Sequence, residues 1–329
     1  MHFIIEKVTV FVSLIYASSM RKGVKKYSKK YCFVFFFSLF IHLFRGTKNV
    51  FVYYKQIQNT KNLSSLYFMK IVVFDLDETL GYFVEFGIFW DCLSRYFRAE
   101  LTQDVFNRTL DLYPEFLRPN IHNILSYIMS KKNTRCCHKI MIYTNNQGPK
   151  KWANQLISYF ESKLDNKKLF DQIICAFKIN GKRVEICRTS HDKSFDDLVK
   201  CTKIPLDAEI CFLDDNFFPG MKNKNVYYIN VKPYLHDLNF DVVVKRFVDS
   251  DVGKQILRDT LKPQFVQYMM NEFKSYNFVC IDKNQDEYEI DKILGKQIMV
   301  HLQKFFSTSV LTGTKRHRVK VKNRTKKNR

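Results

Sequence analysis

The chain has 329 residues, 46% hydrophobic and 16% aromatic, enough apolar material for one large or two modest cores, which excludes a disordered chain. Its formal net charge of +22 sits at the ends: residues 1–68 hold eleven Lys/Arg against the single acid Glu6, and residues 315–329 hold nine Lys/Arg and no acid. The stretch between them carries a net charge of only +3, so the high charge is no evidence that the fold itself grips nucleic acid.

Residues 1–68 form a basic, apolar leader. Two apolar runs, 8–17 and 33–44, are parted by the basic stretch RKGVKKYSKK, and each is shorter than the roughly 20 residues that span a bilayer. Three readings compete: a signal-like or membrane-anchoring leader, a buried hydrophobic helix, or sequence outside the working protein. The third gains weight because Met69 stands immediately before the first convincing strand. A domain beginning there needs nothing that precedes it.

From residue 69 the pattern is regular. Apolar runs of strand length recur at 71–74, 140–143, 173–177, 210–213 and 226–231. Continuous rather than alternating apolarity suits strands covered on both faces, as in a parallel α/β sheet. Helix-like segments at 121–129 and 152–164 lie between them, so the order is broadly βαβα, the signature of a doubly wound fold. Segment 81–117 is long enough for a small helical cap or flap. Its Phe83, Phe86, Phe89 and Trp90 suit either a substrate entrance or core packing, and core packing is the better expectation.

Residues 176–187, AFKINGKRVEIC, read as a hairpin turning at Asn180 and Gly181. Beyond Phe240 the pattern is helical, at 242–247, at 253–273 with Pro263 as a break, and at 287–306. The last places Ile290, Ile293, Leu294, Ile298, Leu302 and Phe305 on one face. The expected organisation is therefore a catalytic domain over 69–240, a helical extension over 241–312, and a basic tail over 313–329 expected to be disordered. Nine cysteines make no C-x-x-C pair, which fits reduced thiols inside a cell, cytoplasmic or nuclear. Cys136, Cys137 and His138 make only a poor zinc site, lacking a second pair.

Ligands of doubly wound sheets bind at the carboxyl ends of the strands. Three runs end there in polar residues: Asp75 and Asp77 after the first, Thr144 to Asn146 after the second, Asp214 and Asp215 after the fourth. In D-x-D-x-T, Asp75 is placed to attack and Asp77 to exchange a proton. A carboxylate is a sensible nucleophile toward phosphorus, because the acyl phosphate it forms is easily hydrolysed. Asp75, Asp77, Asp214 and Asp215 repel one another unless a cation joins them, and oxygen-only ligands point to magnesium, Mg²⁺. Thr144 and Asn145, with the backbone N–H groups that follow, are candidates to hold phosphate oxygens. A lysine is then expected to neutralise them. Lys193 in RTSHDKSFDDL is the candidate, with Lys200 its rival.

VVFDLDETL, MIYTNNQ, Lys193 and ICFLDDN resemble, in order, the four motifs of the haloacid dehalogenase (HAD) superfamily, over about residues 69–235. DLDETL resembles in particular the branch of RNA polymerase C-terminal-domain and NLI-interacting-factor-like phosphatases, and FLRPNIHNIL is similar to that branch's Arg-Pro segment heading a helix. The whole also looks like HAD-like hydrolases encoded by large DNA viruses. The resemblance implies a HAD-like doubly wound parallel sheet and a Mg²⁺-dependent phosphatase that forms an aspartyl-phosphate. It makes Asp75 the nucleophile, Asp77 the general acid/base, Thr144 the phosphate binder, Lys193 the charge stabiliser and Asp214 a metal ligand. Asp77 would reach the metal through its backbone carbonyl, and Asp215 stands where that branch often has Asn. A phosphoprotein is the substrate the resemblance implies. Two alternatives stand beside it: a nucleic-acid-end or nucleotide phosphatase, which the basic tail would suit, and a catalytically idle interaction module. The presence of Asp75, Asp77, Thr144, Lys193 and Asp214 together argues against the last.

Overall fold

A computed structural model describes residues 69–257, 261–276, 280 and 283–307. The chain divides into two units between Tyr67 and Phe68, and every described residue lies in the second. The expectations for the leader and for the basic tail therefore fall outside the described residues.

The continuous apolar runs form strands β1 (Lys70–Phe74), β2 (Lys139–Tyr143), β3 (Gln172–Ile174), β6 (Glu209–Asp214) and β7 (Val226–Asn230). They pair in the order β3-β2-β1-β6-β7, every neighbour parallel, which is a Rossmann-like α/β sheet. Successive residues of a strand point to opposite faces, and here each face has a core of its own. Val72 and Phe74 join Ile140, Ile142, Cys211 and Leu213 in the larger core. Ile71 and Val73 join Met141, Tyr143, Ile210 and Phe212 in the smaller one. Neither set meets water, so no polar alternation survives in the sequence. Burying each such side chain contributes about 1.5–3 kcal/mol. Beyond Ile174 the chain leaves the sheet for the hairpin β4 (Lys178–Ile179) and β5 (Lys182–Arg183), and Gly181 adopts φ +76° at its turn.

The helices are α1 (Val84–Phe97), α2 (Gln103–Leu110), α3 (Ile121–Asn133), α4 (Lys150–Ser162) and α5 (Phe195–Thr202), then α6 (Phe240–Asp249), α7 (Asp251–Ile256), α8 (Lys262–Ser275) and α9 (Gln285–Ser307). Within segment 81–117, Phe83, Phe86, Phe89 and Trp90 are all buried. The Phe86 ring meets Phe106, Tyr113, Phe116 and Trp152, while Phe89 meets Phe247 and Phe273. These aromatics tie α1 to α2, α4, α6 and α8, so they are core and line no entrance. Among the described residues, no helix is long and apolar enough to cross a membrane.

The break expected at Pro263 is present: α7 ends at Ile256 and α8 begins at Lys262, with Pro263 in the first turn of α8, where its missing N–H has no helical partner to lose. Two expectations need correction. On α9, Ile298, Leu302 and Phe305 are buried, but Ile290 and Ile293 are 43% and 55% exposed. The buried stripe continues instead through Gly295 and Asp291, because α9 comes down on the turn after Arg118. A Cβ at Gly295 would stand 2.2 Å from the Pro119 carbonyl oxygen, so only glycine permits this approach. Finally, Cys187 and Cys201 form a disulfide, so the reading of every cysteine as a reduced thiol fails at this pair. Among the described residues, Cys136, Cys137 and His138 join no metal-ligating group; the His138 Nδ1 accepts the backbone N–H of Lys70.

Glu85 in the first turn of α1 supplies a stability prediction. Its Oε2 accepts the Leu238 N–H at 2.7 Å, and its Oε1 is buried without a partner. Burial pushes its pKa to about 8 from 4.5, the Leu238 bond opposing and Asp237 adding to the rise. The unfolded chain therefore releases a proton between pH 4.5 and about 8 that the folded chain keeps, and stability falls with rising pH across that window. Glu85→Gln should remove this slope and make stability at pH 8 gain on that at pH 5 relative to wild type, because the amide has no proton to lose. Denaturant titrations of both proteins at pH 5 and pH 8 measure it; parallel pH profiles would contradict it.

Candidate active site

The register Phe74 to Ile142 and Phe74 to Leu213 brings the carboxyl ends of β1, β2 and β6 level. From β1 the chain steps outward to β2 and β3, then returns to place β6 on the other flank of β1, and this reversal of strand order opens a crevice at the strand ends. The polar residues that follow the three strands meet there.

Asp75 continues β1 by one residue, its N–H donating to the Leu213 carbonyl at 2.9 Å, and its side chain is buried. The chain then turns sharply. Glu78 adopts a left-handed conformation, φ 58°, which costs free energy for a residue with a Cβ and needs outside support. The support is Arg118, buried at the head of α3. Its Nη2 donates to the Glu78 carbonyl at 2.5 Å and to the Lys232 carbonyl at 2.9 Å, and its Nε donates to the Thr79 carbonyl at 2.6 Å. The turn delivers Thr79 to β6, where its hydroxyl donates to Asp215 Oδ1 at 3.0 Å and accepts the Asp215 N–H at 3.1 Å. Asn230 at the end of β7 donates to the carbonyls of Asp214 and Asp215 at 3.1 and 2.9 Å.

Lys193 immediately precedes Ser194, whose side chain caps α5 by accepting the Asp197 N–H at 3.1 Å. This places the lysine 1% exposed between two acids, its Nζ 2.5 Å from Asp75 Oδ1 and 2.7 Å from Asp214 Oδ2. Lys200 lies exposed on the same helix. Of the two candidate lysines, only Lys193 reaches the acids.

Carboxylate oxygens of Asp75, Asp214 and Asp215 lie within 4.8 Å of one another, all three buried. The Asp77 carboxylate stands outside that group and turns to β2, where its Oδ2 accepts the Asn146 side-chain amide at 2.7 Å. Asn146 is itself oriented, since its N–H donates to Thr144 Oγ1 at 3.0 Å and its Oδ1 accepts the Gly148 N–H at 2.7 Å. Thr144 is buried at the end of β2. Asn145 does not point its amide oxygen at the acids; that oxygen accepts Arg188 Nη2 at 2.7 Å. Arg188, fully buried, also donates to the carbonyls of Thr144 and Cys175 at 3.1 and 2.9 Å.

Burial dominates the electrostatics. It raises the Asp75 pKa, against the pull of Lys193 toward the ionised form. Burial lifts Asp77 to about 7, helped by the neighbouring Asp75 charge and opposed by the Asn146 bond. Burial likewise lifts Asp214 to about 7, with Lys193 opposing. Three converging buried carboxylates with one lysine between them leave negative charge in excess whenever all are ionised. A hard divalent cation would offset it, so the oxygen-only donor set of Asp75, Asp214 and Asp215 fits Mg²⁺.

Arg118, Arg188, Asn146 and Thr79 are the site residues whose roles sequence reasoning missed. Thr79 carried a signal in its spacing from Asp77, and Asn146 in its spacing from Thr144. A lone arginine in a loop reads as solvated, and nothing in the sequence marks Arg188 as buried. No protein-family model, curated protein or solved structure matches this chain.

Proposed function

We propose that this chain is a Mg²⁺-dependent phosphomonoester hydrolase of the HAD type that works through an aspartyl-phosphate intermediate. The observation that carries the reading is the buried Asp75 carboxylate, held at the strand-end crevice with Lys193 Nζ at 2.5 Å. A structural strand end has no need of a buried nucleophile, a matched cation and two further acids at one point.

In this reading Asp75 Oδ attacks phosphorus as the bond from phosphorus to the leaving oxygen breaks, and Asp77 gives that oxygen its proton. A pKa of about 7 suits Asp77 to both halves of the cycle at neutral pH. In the second half it accepts a proton from the water that attacks the acyl phosphate, releasing inorganic phosphate and restoring the Asp75 carboxylate. Lys193 neutralises charge on the phosphoryl oxygens, and the Thr144 hydroxyl donates to one of them. The carboxylates of Asp75, Asp214 and Asp215 and the Asp77 carbonyl would hold Mg²⁺, whose charge would lessen the repulsion between the phosphate and Asp75. Arg118 and Asn146 touch no substrate; they hold the Asp75–Thr79 turn and the Asp77 carboxylate in position.

The test is phosphate release from β-glycerophosphate by the full chain with Mg²⁺, and its loss on adding a chelator. Absence of release from this and from other phosphomonoesters would sink the reading in favour of an interaction module. A positioning role for Asn146 makes a separate prediction. Asn146→Ala should lower kcat by about 10- to 100-fold, part of what general acid/base catalysis supplies, with little change in KM or melting temperature. An unchanged kcat would show that Asp77 needs no such support.

A further inference from the structure

Phe217 lies two residues past Asp215, within about 7–8 Å of it along the chain, and is 54% exposed. A single exposed aromatic is unremarkable, but this one is held rigidly. Its ring stacks on Tyr228, 5.6 Å between centroids and 18° between planes. The Tyr228 hydroxyl donates to the Asn216 carbonyl at 2.7 Å and accepts the Phe218 N–H at 2.9 Å, so the platform is fastened to the backbone on both sides of Phe217. The loop beyond is pinned by the fully buried Met221. Phe218, the next residue, lays its ring 5.3 Å from Lys193 Nζ, which places this short segment at the rim of the site. Lys222 Nζ lies 5.7 Å from the Phe217 ring, and Lys224 is exposed shortly after it.

We propose that Phe217, flanked by Lys222, is a stacking lip for a nucleobase, so that the substrate phosphate is borne by a nucleoside, at the end of a nucleic-acid strand or as a free nucleotide. The inference rests on the hydrolase reading above and names its substrate class. A fixed, half-exposed aromatic ring beside a phosphate site fits a base one sugar away from the phosphate, the exposed Lys222 side chain over the ring being free to turn toward that phosphate, and such stacking is tolerant of base identity. The cationic rim decides between polymers. Lys222 and Lys224 offer charge to further phosphates, which a strand carries and a singly phosphorylated peptide lacks. The strand and the free nucleotide share this chemistry; only the strand engages both lysines and gains a salt-dependent term from them.

The experiment compares full-length wild type, Phe217→Ala and Phe217→Trp on five substrates: oligothymidylate with a terminal phosphate, thymidine monophosphate, β-glycerophosphate, and phosphoserine and phosphotyrosine peptides. In Phe217→Ala the ratio of nucleotide to β-glycerophosphate kcat/KM should fall roughly 10- to 100-fold, chiefly through KM, and Phe217→Trp should restore it. A strand preferred over the mononucleotide at low salt, with the preference fading as salt rises, identifies the strand as the source; equal kcat/KM at every salt identifies the free nucleotide. An unchanged ratio in Phe217→Ala, or a phosphopeptide turned over faster than every nucleotide, overturns the proposal. Binding separates this from a failure of the chemistry. If β-glycerophosphate is not hydrolysed, anisotropy of a fluorescent phosphorylated oligothymidylate should still show weaker binding by Phe217→Ala, and equal binding by both proteins again overturns the lip.

Discussion

Asp75→Asn is expected to abolish phosphate release, with kcat/KM falling on the order of 10⁴-fold or more, the scale on which removal of a nucleophile acts. The substitution is nearly isosteric, and the amide oxygen can still accept from Lys193, so the fold has little to repair. It also removes one of three buried carboxylates that lie within 4.8 Å of one another, which relieves repulsion. Melting temperature should therefore hold or rise while activity disappears, and that pairing separates chemistry from misfolding. Asp77→Asn should cost less, roughly 10²- to 10⁴-fold, because it removes proton transfer and leaves the nucleophile. Acid quenching of wild type with labelled substrate should trap phosphate on the protein, and Asp75→Asn should trap none. Near-normal turnover by Asp75→Asn would end the aspartyl-phosphate reading.

Lys193→Met should be damaging in two ways at once. Methionine keeps the length and apolar stem but leaves Asp75 and Asp214 buried without their shared cation. Breaking a buried pair from one side typically costs about 3–5 kcal/mol, which in a domain of this size corresponds to a fall in melting temperature of roughly 2–4 °C per kcal/mol. Turnover should drop about 10²- to 10³-fold, the range for losing one preorganised electrostatic stabiliser. The double variant Asp75→Asn/Lys193→Met should recover part of the lost stability, since one of the stranded charges is gone. Lys200→Met, on the exposed side of α5, should change neither quantity. If Lys193→Met melts like wild type and turns over normally while Lys200→Met does not, the assignment of the lysine is reversed.

Much of this architecture was legible because it is local. Residues 71–74 and 210–213 are apolar without alternation, and a strand buried on both faces has no other way to be written. The acids at the ends of these runs mark the crevice for a related reason: the end of a parallel strand is where the chain leaves the core, and polar groups can stand there. Even the exposed Lys200 and the buried Lys193 differed in one local respect, since Lys193 precedes a Ser that caps a helix. The misreadings arose where a distant segment decides. Ile290 and Ile293 have helical spacing, but α9 turned its Gly295 edge inward because Pro119 leaves no room for a Cβ. Cys187 and Cys201 are 14 residues apart and carry no spacing signal; the fold brings Cys201 on α5 to Cys187 in the segment that follows β5. Arg188 looks like a surface charge in the sequence, and Arg118 stands out there only through its Arg-Pro segment. Burial follows from what surrounds them, carbonyls offered by turns at Glu78, Thr79, Lys232 and Thr144 that accept most of their guanidinium donors, Arg118 Nη1 and Arg188 Nε excepted. The sequence alone thus determined the strands and the acids they carry to one edge. Only the tertiary structure decided which cation reaches those acids, which arginines hold the turns, and which aromatic remains on the rim, because each depends on partners between 3 and 118 positions away along the chain.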